Sequence, residues 1–290
     1  MPTAKRQRQK EGRRARLEAA RKHEQRRRLV RRSVIVLVVA VAVTLSVFKL
    51  TSGGGTPGTT TTTVPGTTAA DVAAQKAANT LAVTAGCSKL PPPLGAAANK
   101  LTWKKPPKFT LDRHRRYYMT VGTTQGSFEV LLNVKHAPVN VNSLVFLARH
   151  HYFNCNPFPR VIPGFMDQTG DPTGTTSGSP GYVVPTNEFP KAGTAAAKYP
   201  VGTVAMAHAG NTCATSKPSQ CAPGNGGQFF IVAGAQAATL PPEYTVVGTV
   251  VRGLGVVERI NKTGRIDNPQ TGQSQLPYVI NRILSVTVYP

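Results

Sequence analysis

Acidic residues are scarce in this sequence, with 12 Asp and Glu against 35 Lys and Arg in 290 residues. Residues 1–32 alone hold 14 of the basic residues and three of the acidic ones. A net charge of +23 spread over one folded face would indicate nucleic-acid binding. Because the charge is concentrated at one end, we expect no nucleic-acid partner. Attraction of residues 1–32 to nucleic acid is the less favoured alternative.

Cysteine is also rare, and four cysteines are too few for a disulfide-rich scaffold. Cys213 and Cys221 lie close together in a polar stretch, whereas Cys87 and Cys155 are far apart in sequence. An exported domain could form one or two disulfides from these four, with Cys213–Cys221 as one possible pair. In a cytosolic protein all four would be free thiols.

Charged residues are absent from Ser33–Phe48, a run dominated by Val, Ile, Leu and Ala. The run is slightly shorter than the roughly 20 residues of a membrane-spanning helix, but apolar neighbours extend it. We therefore predict a single transmembrane anchor over residues 33–50, in contact with the lipid bilayer. The basic residues 1–32 would lie in the cytoplasm and the remaining chain outside it. A cleaved signal peptide is the alternative, although no small-x-small cleavage site follows closely.

Residues 51–100 are rich in Gly, Thr and Pro and cannot bury enough apolar surface to fold by themselves. We predict a flexible linker here, within which Asp71–Gly86 can form a short Ala-rich helix. The composition becomes that of a globular domain after the linker, and we assign residues 101–290 to it.

The globular part contains many short strand patterns, Gly/Pro turns and two isolated helices, which indicates a mainly β barrel or sandwich. The helices are predicted from Ala137 to near His151 and over Gly253–Asn261. The predicted strands are Tyr117–Thr123, Ser127–Asn133, Arg160–Ile162, Phe165–Gln168, Thr203–Ala207, Phe229–Val232, Thr245–Val251 and Val279–Tyr289.

The stretch Phe158–Asp171 combines one cation, Arg160, with one neutral amide, Gln168, and three large apolar side chains. It contains no nucleophile and no cluster of metal ligands. Such a site could hold an apolar group and contact one polar bond without covalent chemistry. We predict neither a metal nor a cofactor.

Three motifs carry a resemblance to a known family. The first is Phe-Pro-Arg-Val-Ile-Pro-Gly-Phe-Met-Asp-Gln at residues 158–168, followed by Gly-Asp-Pro at 170–172. The second is Met206–Gly210 with Asn225–Ile231, and the third is Tyr244–Gly248 with the segment that follows it. Together they resemble the cyclophilins, the cyclophilin-type peptidyl-prolyl cis-trans isomerases, here in a bacterial membrane-anchored form. The resemblance implies a closed eight-stranded antiparallel barrel capped by two helices.

The resemblance also implies roles for individual residues. Arg160 takes the position of the catalytic arginine, and His208 stands where the family usually has Asn. The implied substrate-binding residues are Phe165, Met166, Gln168, Ala207, His208, Gln228, Phe230, Leu240 and Tyr244. The implied activity is rotation of Xaa-Pro bonds in unfolded or maturing exported polypeptides, assisting their folding.

The sequence departs from the family pattern at the far wall of the implied pocket. Thr239 stands where eukaryotic members often have Trp, and Tyr244 stands where many members have a pocket His. The segment Asn211–Gly224 is longer than the usual loop. These departures keep open an alternative function, a cyclophilin-like module or chaperone that binds Pro-containing peptides with little turnover.

Overall fold

The structure is a computed structural model that describes residues 67–87, 97–207, 225–265 and 276–290. The basic segment 1–32, the predicted anchor 33–50, His208, Cys213 and Cys221 lie outside these residues. Across the described part of the chain, every helix is too short or too polar to span a bilayer.

Eight antiparallel strands form one continuous sheet, as the sequence predicts. Their order across the sheet is β3-β4-β6-β5-β7-β2-β1-β8. The strands are β1 Tyr118–Thr123, β2 Gly126–Leu132, β3 Arg160–Ile162, β4 Met166–Thr169, β5 Thr203–Met206, β6 Phe229–Val232, β7 Val246–Arg252 and β8 Ile283–Tyr289.

The closed barrel of the prediction is a half-barrel in the structure, because β3 and β8 do not pair with each other along their lengths. The residues just before β3 instead bridge the gap between β3 and β8, which we call the seam. Pro157 pairs with Arg282, and the amide of Phe158 donates to the carbonyl of Asn281 at 2.9 Å. Pro157 and Pro159 have no N–H to donate, which prevents a regular ladder here.

Two helices cover the sheet where the sequence predicts them. Helix α2, Pro138–Arg149, packs against β8, and helix α3, Leu254–Asn261, packs against β2, β3 and β4. Proline at its first turn favours the start of α2. The Glu188 carboxylate accepts hydrogen bonds from the amides of Val139 and Asn140 and so caps that end.

Within residues 51–100, helix α1 occupies Ala69–Thr84, close to the short Ala-rich helix that the sequence allows over Asp71–Gly86. Thr68 and Asp71 form a reciprocal capping box at its start. The side chain of Gln75 bonds both the amide and the carbonyl of Ile280, at 2.6 and 3.4 Å. The sequence allowed a helix here but gave no sign that it would dock on the domain.

A disulfide joins Cys87, just after α1, to Cys155, just before the seam. It links two positions 68 residues apart in sequence. Helix α1 is therefore held to the domain covalently as well as by Gln75.

The alternation of side chains along the strands separates two apolar clusters. On β6, Phe229 and Ile231 point into the main core, whereas Phe230 and Val232 belong to a second cluster on the opposite face. The second cluster contains Ile162, Met166, Tyr199, Ala205, Phe230, Val232, Ala237 and Val246. This outer cluster forms the floor of the site described below.

The disulfide should give the domain a larger free energy of unfolding without a reductant than with one. Opening it frees a long loop in the unfolded chain, so Cys155→Ser should lower the free energy of unfolding by roughly 2–4 kcal/mol. Urea unfolding in a Cys213→Ser/Cys221→Ser background measures this, because only the Cys87–Cys155 pair then responds to dithiothreitol. An identical urea midpoint with and without reductant in that background would contradict the prediction.

Candidate active site

A cleft of about 790 Å³ opens on the outer face of the sheet, where β3, β4 and β6 lie side by side. Nine of the ten predicted catalytic and substrate-binding residues line it, and the tenth, His208, lies outside the described residues. The nine are Arg160, Phe165, Met166, Gln168, Ala207, Gln228, Phe230, Leu240 and Tyr244. Thr239, although next to Leu240, does not line the cleft.

The polar side of the cleft is a chain of hydrogen bonds that begins at Arg160. Arg160 and Gln168 are direct partners across the β3–β4 pair, and the guanidinium donates to Gln168 Oε1 at 3.3 Å. The Gln168 amide donates to Gln228 Oε1 at 2.9 Å. Gln228 in turn donates to the carbonyls of Thr176 and Gly178, at 2.9 and 3.0 Å. Each amide is thereby fixed in one orientation.

The guanidinium of Arg160 is half-buried and carries a charge that no carboxylate neutralises among the described residues. Burial lowers the pKa of Arg160 from its usual value, and Tyr244 opposes this shift. An arginine begins from so high a pKa that it stays charged at neutral pH. The cleft therefore presents a positive charge whose remaining N–H groups are available to a ligand.

The apolar side of the cleft consists of Phe165, Met166, Phe230 and Leu240. Met166 and Phe230 belong to the outer cluster, and Phe165 and Leu240 pack against it. The ring of Tyr244 meets that of Phe230 edge to face, with centroids 5.4 Å apart. This geometry suits aromatic pairs, and these apolar side chains line the same cleft as the Arg160 guanidinium.

Tyr199 is a structural residue of the site that sequence reasoning missed. It is buried behind Tyr244, and its hydroxyl lies within 3.2 Å of the carbonyls of Pro241 and Tyr244. The same oxygen accepts a hydrogen bond from the Tyr244 amide at 3.0 Å. These contacts fix the loop that carries Tyr244. No periodic pattern marks Tyr199, because it follows a short 3-10 helix in a Gly/Ala-rich loop.

A second lobe of the cleft was also missed, and Asp171 organises it. Its carboxylate accepts hydrogen bonds from the amides of Thr173 and Gly178, at 2.7 and 3.0 Å. We use the name second lobe for the part of the cleft lined by its remaining residues, Thr176, Ser177, Gly178, Ser179, Tyr182, Val183, Gly226 and Gly227. The Gly-Asp pair at 170–171 was the available signal, since an Asp after a strand often orders the turn that follows.

Gly170 is needed where β4 ends. Its φ of +90° favours glycine, and a Cβ at this position would lie 2.3 Å from the carbonyl oxygen of Gly227. Because the backbones of Gly170 and Gly227 lie this close, the second lobe adjoins the hydrogen-bonded side chains of Gln168 and Gln228 directly.

Asp167 lies between two residues of the site but faces the opposite side of the strand. It is fully buried, and burial raises its pKa to about 8 against a lowering effect of the Asn261 hydrogen bond. Asn261 donates to Asp167 Oδ1 at 2.7 Å and to the carbonyl of Ile162 at 2.9 Å, and it accepts from the amide of Gly164. A neutral Asp167 and Asn261 thus fix the turn that presents Phe165.

Comparison with known proteins places the chain in a family. The profile described as "Cyclophilin type peptidyl-prolyl cis-trans isomerase/CLD" matches residues 118–288. Peptidyl-prolyl cis-trans isomerase-like 1 of Emericella nidulans is 36% identical over 155 residues, which cover 52% of this chain and 86% of that protein. The chain belongs to the cyclophilin-type peptidyl-prolyl cis-trans isomerases, and rotation of Xaa-Pro bonds is the activity that defines this family.

Mycobacterial relatives match over a smaller share of their length. Probable peptidyl-prolyl cis-trans isomerase B of Mycobacterium leprae is 36% identical over 157 residues, covering 50% of this chain and 48% of that protein. The chain thus spans about half the length of this relative. A crystal structure of a cyclophilin-type isomerase from Cryptosporidium parvum has a TM-score of 0.49 at 23% identity, over 61% of this chain and 99% of that one.

Asp167 gives a prediction for the pH dependence of stability. Its folded-state pKa of about 8 lies above the ordinary 3.8, so between these pH values the folded chain binds more protons than the unfolded chain. This group therefore stabilises the fold most at low pH, and its contribution is lost as pH rises toward 8, by at most about 1.4 kcal/mol per pH unit.

Asp167→Asn should remove that slope, because the amide stays neutral at every pH. Urea unfolding of wild type and variant at pH 5, 6, 7 and 8 measures the difference. Asp112→Asn makes the same chemical change at an exposed position and serves as the control. A wild-type-minus-Asp167→Asn difference that stays constant over this range would refute the assignment.

Proposed function

We propose that this chain is a membrane-anchored peptidyl-prolyl isomerase that acts outside the cytoplasm on unfolded or maturing exported polypeptides. The observation that carries the catalytic part is that Arg160, whose guanidinium has no carboxylate partner among the described residues, shares one cleft with Phe165, Met166, Phe230 and Leu240. That pairing fits a proline ring and the polar bond attached to it.

The reaction requires rotation about a bond with partial double-bond character, against a barrier of roughly 18–20 kcal/mol. Resonance weakens when the imide nitrogen becomes pyramidal and regains its lone pair. A guanidinium directed at that nitrogen stabilises the twisted state more than either planar state, which is the condition for catalysis. No bond forms or breaks, so the chain's own side chains suffice.

Gln168 and Gln228 act in this scheme as positioning residues. Their hydrogen bonds set the direction of the Arg160 side chain before substrate arrives. A charge held in place in a partly water-excluded cleft needs little reorganisation during rotation and is screened less than in water. Phe165, Met166, Phe230 and Leu240 would hold the ring while the preceding carbonyl swings.

Two features support a location outside the cytoplasm. The apolar run before residue 50 follows a strongly basic segment, which favours an anchor with its N-terminus inside. The disulfide between Cys87 and Cys155 suits an oxidising compartment. In this arrangement exported chains, which emerge unfolded, are the substrates within reach.

A binding module with little turnover is the second candidate, favoured by the far wall of the cleft. Tyr244 occupies the position of a common pocket His, and Thr239 is exposed and bonds the carbonyl of Gln236. Measurement of peptide binding and of cis-trans exchange by NMR on one Xaa-Pro peptide separates the candidates. Saturable binding without accelerated exchange would favour the module.

Substitution of Arg160 tests the proposed catalysis. Arg160→Ala removes the positive charge that stabilises the transition state. It should lower kcat/KM for a short Xaa-Pro peptide about 10²–10³-fold. Arg160→Lys keeps a charge but loses the planar fork, so an intermediate rate is expected. A protease-coupled or NMR exchange assay gives both rates.

Arg252→Ala is the matched control, since that side chain is 82% exposed and pairs weakly with Glu129 at 3.8 Å. Its rate should equal that of the wild type. An Arg160→Ala rate within twofold of the wild type would overturn the proposed mechanism.

A further inference from the structure

The segment of residues 97–116, which we call the basic strap, precedes β1 and contains no helix or strand. It carries seven Lys and Arg residues and a single acid, Asp112. The 174 residues that follow carry 11 basic and seven acidic residues, a smaller excess in a chain almost nine times as long. The basic residues of the strap are Lys100, Lys104, Lys105, Lys108, Arg113, Arg115 and Arg116.

The backbone of the strap is fixed to the domain at several points. The amide of Trp103 donates to the carbonyl of Pro180 at 2.8 Å, and its ring packs edge-on against Phe146 of α2 at 5.2 Å. Further along, the side chain of Asn142, also on α2, bonds the carbonyl of Lys108 and the amide of Thr110, at 3.0 and 2.9 Å. The strap therefore runs along α2 in the opposite direction.

This attachment uses main-chain groups and the Trp103 ring, and the charged side chains of the strap lie in solvent. All seven basic residues are exposed, and none lies within salt-bridge distance of a carboxylate in the described part of the chain. Two large apolar side chains, Leu101 and Phe109, are 39% and 42% exposed among them. The Arg113 guanidinium lies 5.0 Å from the centre of the Phe109 ring.

We propose that the basic strap docks the isomerase domain on an anionic phospholipid surface. Cations would meet the headgroup phosphates, and Leu101 and Phe109 would enter the boundary between headgroups and acyl chains. The combination of cations with exposed Leu101 and Phe109 favours a bilayer over a purely polar polyanion, because a polyanion offers these two apolar side chains no apolar layer to enter. The proposal rests on the membrane anchor proposed above.

Chain length brings the strap to that surface. Helix α1 begins at Ala69, so the linker predicted between the anchor and the domain shortens to residues 51–66. The Gly/Thr/Pro composition of residues 51–66 predicts a root-mean-square span of roughly 20–25 Å. The domain would stay within a short distance of the bilayer, where weak electrostatic attraction is sufficient for docking.

The sole tryptophan of the chain, Trp103, lies within the strap and can report the docking. The full chain is reconstituted into vesicles of phosphatidylcholine alone or with one third phosphatidylglycerol, each containing brominated acyl chains that quench nearby indole. We expect stronger quenching in the anionic vesicles and its loss at high salt. Flotation of the same vesicles in high salt tests the anchor separately.

The decisive variant is Lys104→Gln/Lys105→Gln/Lys108→Gln, which leaves the strap's backbone contacts intact. Each neutralised lysine should weaken docking about fivefold, and all three together roughly 100-fold. The control variant makes the same change of charge at exposed positions outside the strap, as Lys191→Gln/Lys198→Gln/Lys262→Gln. Its Trp103 should be quenched as strongly as that of the wild type.

Three results of the quenching experiments would overturn the proposal. One is equal quenching in neutral and anionic vesicles, and another is unchanged quenching in the strap variant. The third is loss of Trp103 quenching in anionic vesicles when duplex DNA or inorganic phosphate is added at equal phosphate concentration. That loss would identify a nucleic acid or a free anion as the ligand of the strap. Failure to float in any vesicle would refute the anchor, and the docking with it, while isomerase activity in detergent remained unaffected.

Discussion

The hydrogen bonds from Arg160 through Gln168 to Gln228 are the constraint on which the site depends. A flexible arginine on a strand would ordinarily sample many rotamers or pair with a nearby carboxylate. Here a neutral amide holds it, so its direction is fixed while its charge is preserved. The same chain of amides ends on carbonyls of the 176–178 loop and so couples the position of the charge to the second lobe of the cleft.

The sheet supports this constraint through the alternation of its side chains. Odd-numbered Val161, Asp167 and Ile231 face α3 or the main core, while the neighbouring even-numbered residues face the cleft or its floor. A shift of one residue in register would exchange the two sets. Asn261 accepts a hydrogen bond from the β3–β4 turn, and Tyr199 accepts one from the loop that carries Tyr244. These contacts hold the apolar side of the cleft, whereas Gln168 holds the guanidinium, so the two are fixed independently.

Much of this arrangement could be predicted from the sequence, because it follows local patterns. The strands and the two covering helices follow period-2 or period-3.6 patterns, and the apolar positions of the cleft were implied by the resemblance of three compact motifs to the cyclophilins. The docking of α1 could not be predicted, since it depends on Gln75 meeting Ile280, 205 positions away in sequence. Tyr199 and the Asp171 lobe lie in loops without periodicity, and only tertiary contacts give them their roles.

The central claim is that the charge of Arg160 lowers the rotational barrier, while its planar fork and its hydrogen bond to Gln168 direct that charge. Citrulline in place of Arg160 keeps the planar side chain and its donor to Gln168 but removes the charge. NMR exchange across a titration with one Xaa-Pro peptide then measures both the rotation rate and the peptide affinity. The account predicts a loss of two orders of magnitude or more in exchange rate, with peptide affinity nearly unchanged. An exchange rate equal to that of the unmodified protein would contradict it.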